Sequence, residues 1–96
     1  MGIIYRPHLK RRLKERKVPN NYPKKIYENA KLRFRDTLTS HNIAISRLEY
    51  GKKLRNLVIS YDIMGSNIEI ITIHPISDSD IKIRIKTKRW IKHETS

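Results

Sequence analysis

The chain contains no cysteine, which excludes a disulfide framework and a thiolate metal site. It also lacks an apolar run long enough for a signal peptide or a membrane span. Linkers, repeats and low-complexity stretches are missing, and the four histidines are scattered. We therefore expect a single cytoplasmic domain over residues 1–96, with no metal, no cofactor and no membrane partner.

Acidic residues are also few. Nine Asp and Glu stand against 22 Lys and Arg, so the formal net charge is +13. A surface adapted to solubility or heat usually mixes both signs, whereas one sign dominates here. This imbalance favours a polyanionic partner, and RNA or DNA is the first to consider.

The first third of the chain has the pattern of two short helices. Pro7 suits the first turn of a helix that ends by residue 17, and Pro23 opens a second helix over residues 24–30. Residues 3–5 are apolar and fit either an edge strand or a packing arm.

From residue 31 the pattern changes to the alternation of strands, over residues 31–36, 43–50, 54–63 and 68–76. Ser77 and the acids after it favour a helix cap, although residues 81–88 also alternate as a strand would. We predict an α+β fold in which two N-terminal helices pack on a four- to five-stranded antiparallel sheet, followed by a short C-terminal helix.

The first predicted helix carries a set of polar groups with regular spacing. His8, Arg12 and Arg16 lie four residues apart, so a helix places them on one side, one turn apart. They combine a group that transfers protons near neutral pH with fixed positive charge. A site acting on a phosphodiester could use this set.

The same start, His8-x3-Arg12-x3-Arg16, resembles the opening of DUF4258 proteins. The later runs over residues 48–51, 57–62 and 69–75, followed by a basic tail, resemble the sheet of that family and of BrnT-like toxins. Both groups are similar to the RelE/ParE-like toxin superfamily. The resemblance implies a helical hairpin followed by an antiparallel sheet, and its better-studied members are ribonucleases of toxin–antitoxin systems.

This chain departs from those patterns at two places. Where those families usually have a turn glycine after the helix, this chain has Lys17. Where BrnT-like proteins have an Ala-Arg pair at the end of the last strand, it has His74-Pro75. The fold that the resemblance implies is therefore better supported than the ribonuclease activity.

RNA cleavage without a metal uses the 2′-OH as nucleophile and needs a proton acceptor, cations around the phosphate and an acid for the leaving oxygen. His8 and His74 are the candidate proton carriers, and Arg12 and Arg55 complete the predicted catalytic set. The predicted nucleic-acid-binding surface consists of basic residues, namely Lys10, Arg11, Arg12, Lys14, Arg16, Arg84, Lys88 and Arg89.

Each candidate also has a purely structural interpretation. His8 can rest in the first helical turn, His74 can close the rim of the sheet before a proline, and Tyr61 can be a packing residue. His41 and His93, in a loop and a tail, carry little information. Trp90 can cover the edge of the core or stack on a base.

The hairpin register decides whether the sheet contributes to a site, and the sequence leaves two registers open. A two-residue turn at Gly65-Ser66 puts Arg55, Tyr61 and His74 on one face. A three-residue loop pairs Val58 with His74 and moves Arg55 and Tyr61 to the other face.

Three functions therefore compete. The first is an RNA-directed toxin-like protein, a metal-independent ribonuclease of a toxin–antitoxin system. The second is a non-catalytic ribosome-associated or regulatory RNA-binding protein. The third is a protein-binding module for an acidic partner such as an antitoxin.

Overall fold

A computed structural model describes residues 2–92 of the chain. Six strands and three helices form within that range, and all six strands belong to one sheet with the order β1-β5-β4-β3-β2-β6. In chain order they are β1 (Ile3–Tyr5), α1 (Pro7–Glu15), α2 (Tyr22–Asn29), β2 (Leu32–Asp36), β3 (Asn42–Tyr50), β4 (Lys53–Met64), β5 (Asn67–Pro75), α3 (Asp78–Lys86) and β6 (Trp90–Lys92).

The α+β class is confirmed, but the sheet is mixed and larger than predicted. β1 runs parallel to β5, while all other neighbours are antiparallel. β6 adds a sixth strand by pairing with β2. A three-residue strand carries no local indication of its direction or its partner, because both depend on residues far away in the chain.

The helices lie on both faces of the sheet, an arrangement that the predicted fold did not include. Leu9, Leu13 and Ile26 of α1 and α2 belong to a core cluster with Leu57 and Ile59 of β4. Ile81 of α3 instead belongs to a second cluster with Val58, Ile43 and Ile45. Since successive strand residues point to opposite faces, the two clusters lie on opposite sides of the sheet.

The cap at Ser77 decides the ambiguous segment that follows β5. The Ser77 hydroxyl accepts a hydrogen bond from the Asp80 N–H at 3.1 Å, and Asp78 and Asp80 lie in the first turn of α3. Both features stabilise a helix start. The predicted helix is thus present, over Asp78–Lys86.

The β4–β5 hairpin combines features of both predicted registers. Its turn has two residues, with Met64 opposite Asn67. Nevertheless Val58 pairs with His74, because the register shifts between Ser60, which faces Thr72, and Tyr61, which faces Ile70. Ile71 is therefore one extra residue in β5, a β-bulge. Arg55 and Tyr61 consequently lie on the face opposite His74.

The turn-side half of this hairpin carries two opposed carboxylates. Asp62 faces Glu69 across the strands, a pairing that costs free energy when it stands alone. Arg6, which directly follows β1, forms an ion pair with Glu69 and lies 3.7 Å from Asp62. The guanidinium thereby offsets part of the repulsion between the two carboxylates and joins β1 to the hairpin.

A buried carboxylate holds β6 against the rest of the sheet. Asp36 is 3% exposed and accepts hydrogen bonds from the backbone N–H groups of Leu38 and Thr39, Nε of Arg89 and the indole of Trp90. Burial alone would raise the pKa of Asp36, but these hydrogen bonds outweigh burial and lower it.

The end of α1 is closed by backbone hydrogen bonds that require an unusual conformation. The Val18 N–H donates to the Leu13 carbonyl at 3.0 Å and the Lys17 N–H to the Lys14 carbonyl at 3.3 Å, which is a Schellman motif. Lys17 has φ of +53°, a region in which a Cβ atom costs about 1–2 kcal/mol.

We expect Lys17→Gly to stabilise the protein by about 0.5–1 kcal/mol, because glycine relieves this strain and loses part of the gain as unfolded-chain entropy. Urea unfolding measures the effect. Lys17→Ala removes the same charge but keeps the Cβ, so it should give no such gain. Equal effects of both variants would contradict the role of the backbone.

We expect Asp36→Asn to destabilise the protein by about 2–4 kcal/mol at pH 7, because an amide leaves buried donors without a charged acceptor. The folded-state pKa is lowered, so the stabilisation is present above the unfolded carboxyl pKa of about 3.9 and is lost as the pH falls through the folded value. Urea unfolding should show the two proteins converging below about pH 4. The control Asp80→Asn, at an exposed side chain, should cost under about 1 kcal/mol. If the difference in unfolding free energy between the wild type and Asp36→Asn did not change with pH, this role of the Asp36 carboxylate would be contradicted.

Candidate nucleic-acid interface

The second half of β5 borders a cavity beneath α1. β1 pairs only with residues 68–70 of β5, so the segment 71–75 extends beyond β1. A cavity of about 200 Å³ lies between this segment and α1. We call it the helix-side cavity, and its lining consists of His8, Leu9, Arg12 and Arg16 together with residues 71–74.

The helix-side cavity unites most of the predicted catalytic set. Burial of Leu9 and Leu13, at 1% and 2% exposure, fixes the rotation of α1. With that rotation His8 and Arg12 lie beside the buried stripe, and Arg16 follows as the C-cap residue. The spacing of four residues thus places all three on the flank that faces His74.

The other basic residues of α1 have different surroundings. Lys10, Arg11 and Lys14 are exposed, and none of them lines the helix-side cavity. They form a separate basic surface on the outside of the helix. Such a surface can attract a polyanion, but its charges lie outside the cavity that His74 lines.

His74 lies where α1 and α3 approach the same strand end. Partial desolvation lowers the pKa of this imidazole, and the positive charges of Arg84 and Arg16 lower it further. Arg16 belongs to the α1 side and Arg84 to α3, so His74 stands between two guanidinium groups. A lowered pKa favours the neutral ring at pH 7, the form that accepts a proton.

A second cavity, of about 220 Å³, lies on the face of the sheet that α3 covers. We call it the sheet-side cavity. It shares Ile71, Thr72 and His74 with the helix-side cavity, so the two meet at the bulged edge of β5. Its remaining lining consists of Asp36, Thr39, His41, Ile43, Val58, Ser60, Arg84, Arg89 and Trp90.

His41 is a functional candidate that the sequence interpretation missed. Its Nδ1 lies 2.7 Å from Oδ1 of Asp62. A carboxylate only accepts hydrogen bonds, so Nδ1 carries the proton. Nε2 is then the ring nitrogen that remains for another partner. Gly51-Lys52 is a two-residue turn, and counting back from it pairs residue 42 with 61. Extending this register by one residue puts residue 41 opposite residue 62. The sequence could therefore have indicated the contact between His41 and Asp62 through the strand register.

The structure does not bring Arg55 and Tyr61 to either cavity. The Arg55 Nε donates to the Tyr50 carbonyl at 3.1 Å, and its side chain lines a different groove near the start of α3. Tyr61 is 4% exposed and packs edge-on against Tyr27. The predicted catalytic role of Arg55 therefore has no geometric support, and Tyr61 is a packing residue.

The C-terminal basic residues divide in the same way. Arg84 and Arg89 line the sheet-side cavity, whereas Lys88 is exposed outside it. Trp90 is buried, with Phe34 stacked on it at 5.6 Å and the Arg84 guanidinium 5.0 Å from its ring centre. It therefore covers the core, and Arg84 takes the outer position. His93 lies outside the described residues.

Among residues 2–92, no group of three or more metal-ligating side chains is close enough to hold a metal ion. No helix in that part of the chain is long and apolar enough to cross a membrane.

Comparison with protein families, with curated proteins and with solved structures finds no match to this chain. The resemblance to DUF4258 and BrnT-like proteins therefore stays a prediction.

We expect Arg84→Gln and Arg16→Gln each to raise the pKa of His74 towards the ordinary histidine value, because each removes a charge that disfavours the imidazolium. An NMR titration of the ring Cε1–H signals measures this shift. Arg55→Gln removes the same charge outside both cavities and should leave the His74 pKa unchanged. An equal shift in all three variants would show that only net charge matters.

Proposed function

We propose that the protein is an RNA-directed, toxin-like endoribonuclease that works without a metal. The observation that carries the proposal is the helix-side cavity, where His8, Arg12 and Arg16 line the same space as His74. Two imidazoles and two guanidiniums around one cavity match the needs of phosphodiester cleavage.

His74 is the proposed general base. Its lowered pKa keeps the ring neutral at pH 7, so it can take the proton of the 2′-OH. The 2′-oxygen then attacks phosphorus, the bond to the 5′-oxygen breaks, and His8 gives that oxygen a proton. The products are a 2′,3′-cyclic phosphate and a free 5′-OH.

Arg12 and Arg16 are the proposed phosphate ligands. A guanidinium offers paired donors that match phosphate oxygens and keeps its charge at every working pH. Their positive charge stabilises the pentavalent phosphorus more than the ground state, because negative charge accumulates there during attack. Lys10, Arg11 and Lys14 would hold the neighbouring backbone of the RNA through long-range attraction.

We further propose that the chain belongs to the DUF4258 and BrnT-like group of the RelE/ParE-like superfamily and acts in the cytoplasm on RNA or on the ribosome. An acidic antitoxin is a further proposed partner, since a net charge of +13 would attract an acidic protein as well as a nucleic acid.

A non-catalytic RNA-binding role is the second candidate. It is favoured by the exposed basic residues outside both cavities, which bind phosphate without any chemistry. On this alternative the two histidines add nothing beyond contact, and RNA affinity falls steeply with salt.

Cleavage of labelled RNA tests the first candidate, on free RNA in a chelator and on mRNA bound to ribosomes in the Mg²⁺ that ribosomes need. We expect 5′ fragments ending in a 2′,3′-cyclic phosphate. His74→Asn and His8→Asn should each lower kcat/KM by about 100-fold or more, the usual contribution of a positioned proton carrier.

Arg55→Gln is the matched control, because it removes a basic side chain outside both cavities and should keep nearly full activity. RNA that stays intact in both settings would refute the ribonuclease. Salt-sensitive binding that is weakened in the triple variant Lys10→Gln, Arg11→Gln, Lys14→Gln but kept in His74→Asn would then establish the second candidate.

A further inference from the structure

We propose that the sheet-side cavity binds one nucleobase of single-stranded RNA, beside the phosphodiester held in the helix-side cavity. The inference rests on the proposed RNA-directed function and assigns the substrate group that this second space receives. It gives roles to His41 and Arg84 that the cleavage chemistry does not use.

The walls of the sheet-side cavity suit a flat, uncharged ring better than a phosphate. Ile43, Val58 and Ile71 contribute apolar surface to its lining. The two guanidiniums in the lining already have partners, because Arg84 lies over Trp90 and Arg89 donates to Asp36. A bare anion would therefore lose hydration against the apolar side chains with little compensation. Pockets for drug-sized ligands measure about 300–1,000 Å³. This cavity, at about 220 Å³, therefore has room for a single heterocycle.

Polar groups around the cavity can read the edge of such a ring. Asp62 fixes the His41 imidazole through Nδ1, which leaves Nε2 available to a ligand. Ser60 and Thr72 supply two hydroxyl groups that are hydrogen-bonded to each other at 2.6 Å, so one O–H proton and the remaining lone pairs are left for a ligand. Bases of single-stranded RNA are recognised by such hydrogen bonds to their edges.

Arg84 offers the stacking surface. Its guanidinium is held over the Trp90 ring, 5.0 Å from the centre, and its side chain lines the cavity. Splayed bases stack on guanidinium planes as well as on aromatic rings. Because Trp90 is buried, Arg84 rather than the indole is the group that a base would meet.

The shared edge of β5 explains why a base would lie here. Ile71, Thr72 and His74 line both cavities, so a phosphate beside His74 leaves its own nucleotide next to the sheet-side space. A base can enter only when it is unstacked and unpaired. The site therefore requires single-stranded RNA.

NMR titration with the four nucleoside 5′-monophosphates and with ribose 5-phosphate tests the pocket. The sugar phosphate has the same anion without the base. We expect at least one nucleotide to bind about tenfold more tightly than ribose 5-phosphate, as stacking of one base provides, with shifted signals from His41 and Ile43.

Two variants separate the pocket from a general basic surface. Thr39→Phe fills the mouth of the cavity and His41→Asn removes the imidazole, so each should reduce the tenfold preference to about twofold or less. Leu38→Phe adds the same ring one residue away, on a side chain that is 73% exposed and outside the cavity, and should keep the preference.

Equal binding of nucleotides and ribose 5-phosphate, or a preference that survives both variants, would overturn the pocket. These ligands have no scissile internucleotide bond, so the result is independent of cleavage. A base preference without RNA cleavage would uphold the pocket and refute the ribonuclease, whereas cleavage without a base preference would refute the pocket alone.

Discussion

One extra residue in β5, Ile71, determines what the end of that strand presents to each side of the sheet. Because side chains alternate along a strand, an inserted residue moves every later side chain to the opposite face. His74 therefore pairs with Val58 and joins the side that α3 covers. With a regular ladder it would face Leu57, in the core beneath α1 and α2. The bulge makes an imidazole accessible at an edge that would otherwise need an apolar residue.

Charge is segregated along the same hairpin. Near the turn, Asp62 and Glu69 oppose each other and are held by Arg6. At the other end Arg16 and Arg84 approach His74 from two helices, and both disfavour its protonation. A cluster of guanidiniums that disfavours further positive charge is most stable with an anion among them. Under the proposed function that anion is the phosphate of the RNA.

Features with local causes could be predicted from the sequence. Pro7 and Pro23 lie in the first turns of α1 and α2, and the strand predicted over residues 43–50 is observed as Asn42–Tyr50. The direction of β1 and the existence of β6 could not be predicted, because each depends on a partner strand at least 50 residues away.

The candidate site shows the same division. The spacing of His8 and Arg12 indicates a shared flank, but only the tertiary fold shows that His74 lies opposite it. The bulge at Ile71 escapes prediction, since nothing in the run of isoleucines marks one of them as the extra residue. The contact of His41 with Asp62 depends on strand register, so the position of His41 in a loop does not indicate it.

The parallel pairing of β1 with β5 also imposes an order on assembly. Ile3 pairs with Ile68, so during synthesis β1 has no sheet neighbour until the residues of β5 have followed it out of the ribosome. Contacts of such long separation form late and slow the folding of small domains. His8, carried on the helix directly after β1, meets His74 only at that stage. A nascent chain is thus without its helix-side cavity until β5 has emerged, and the cavity forms only when β1 and β5 pair.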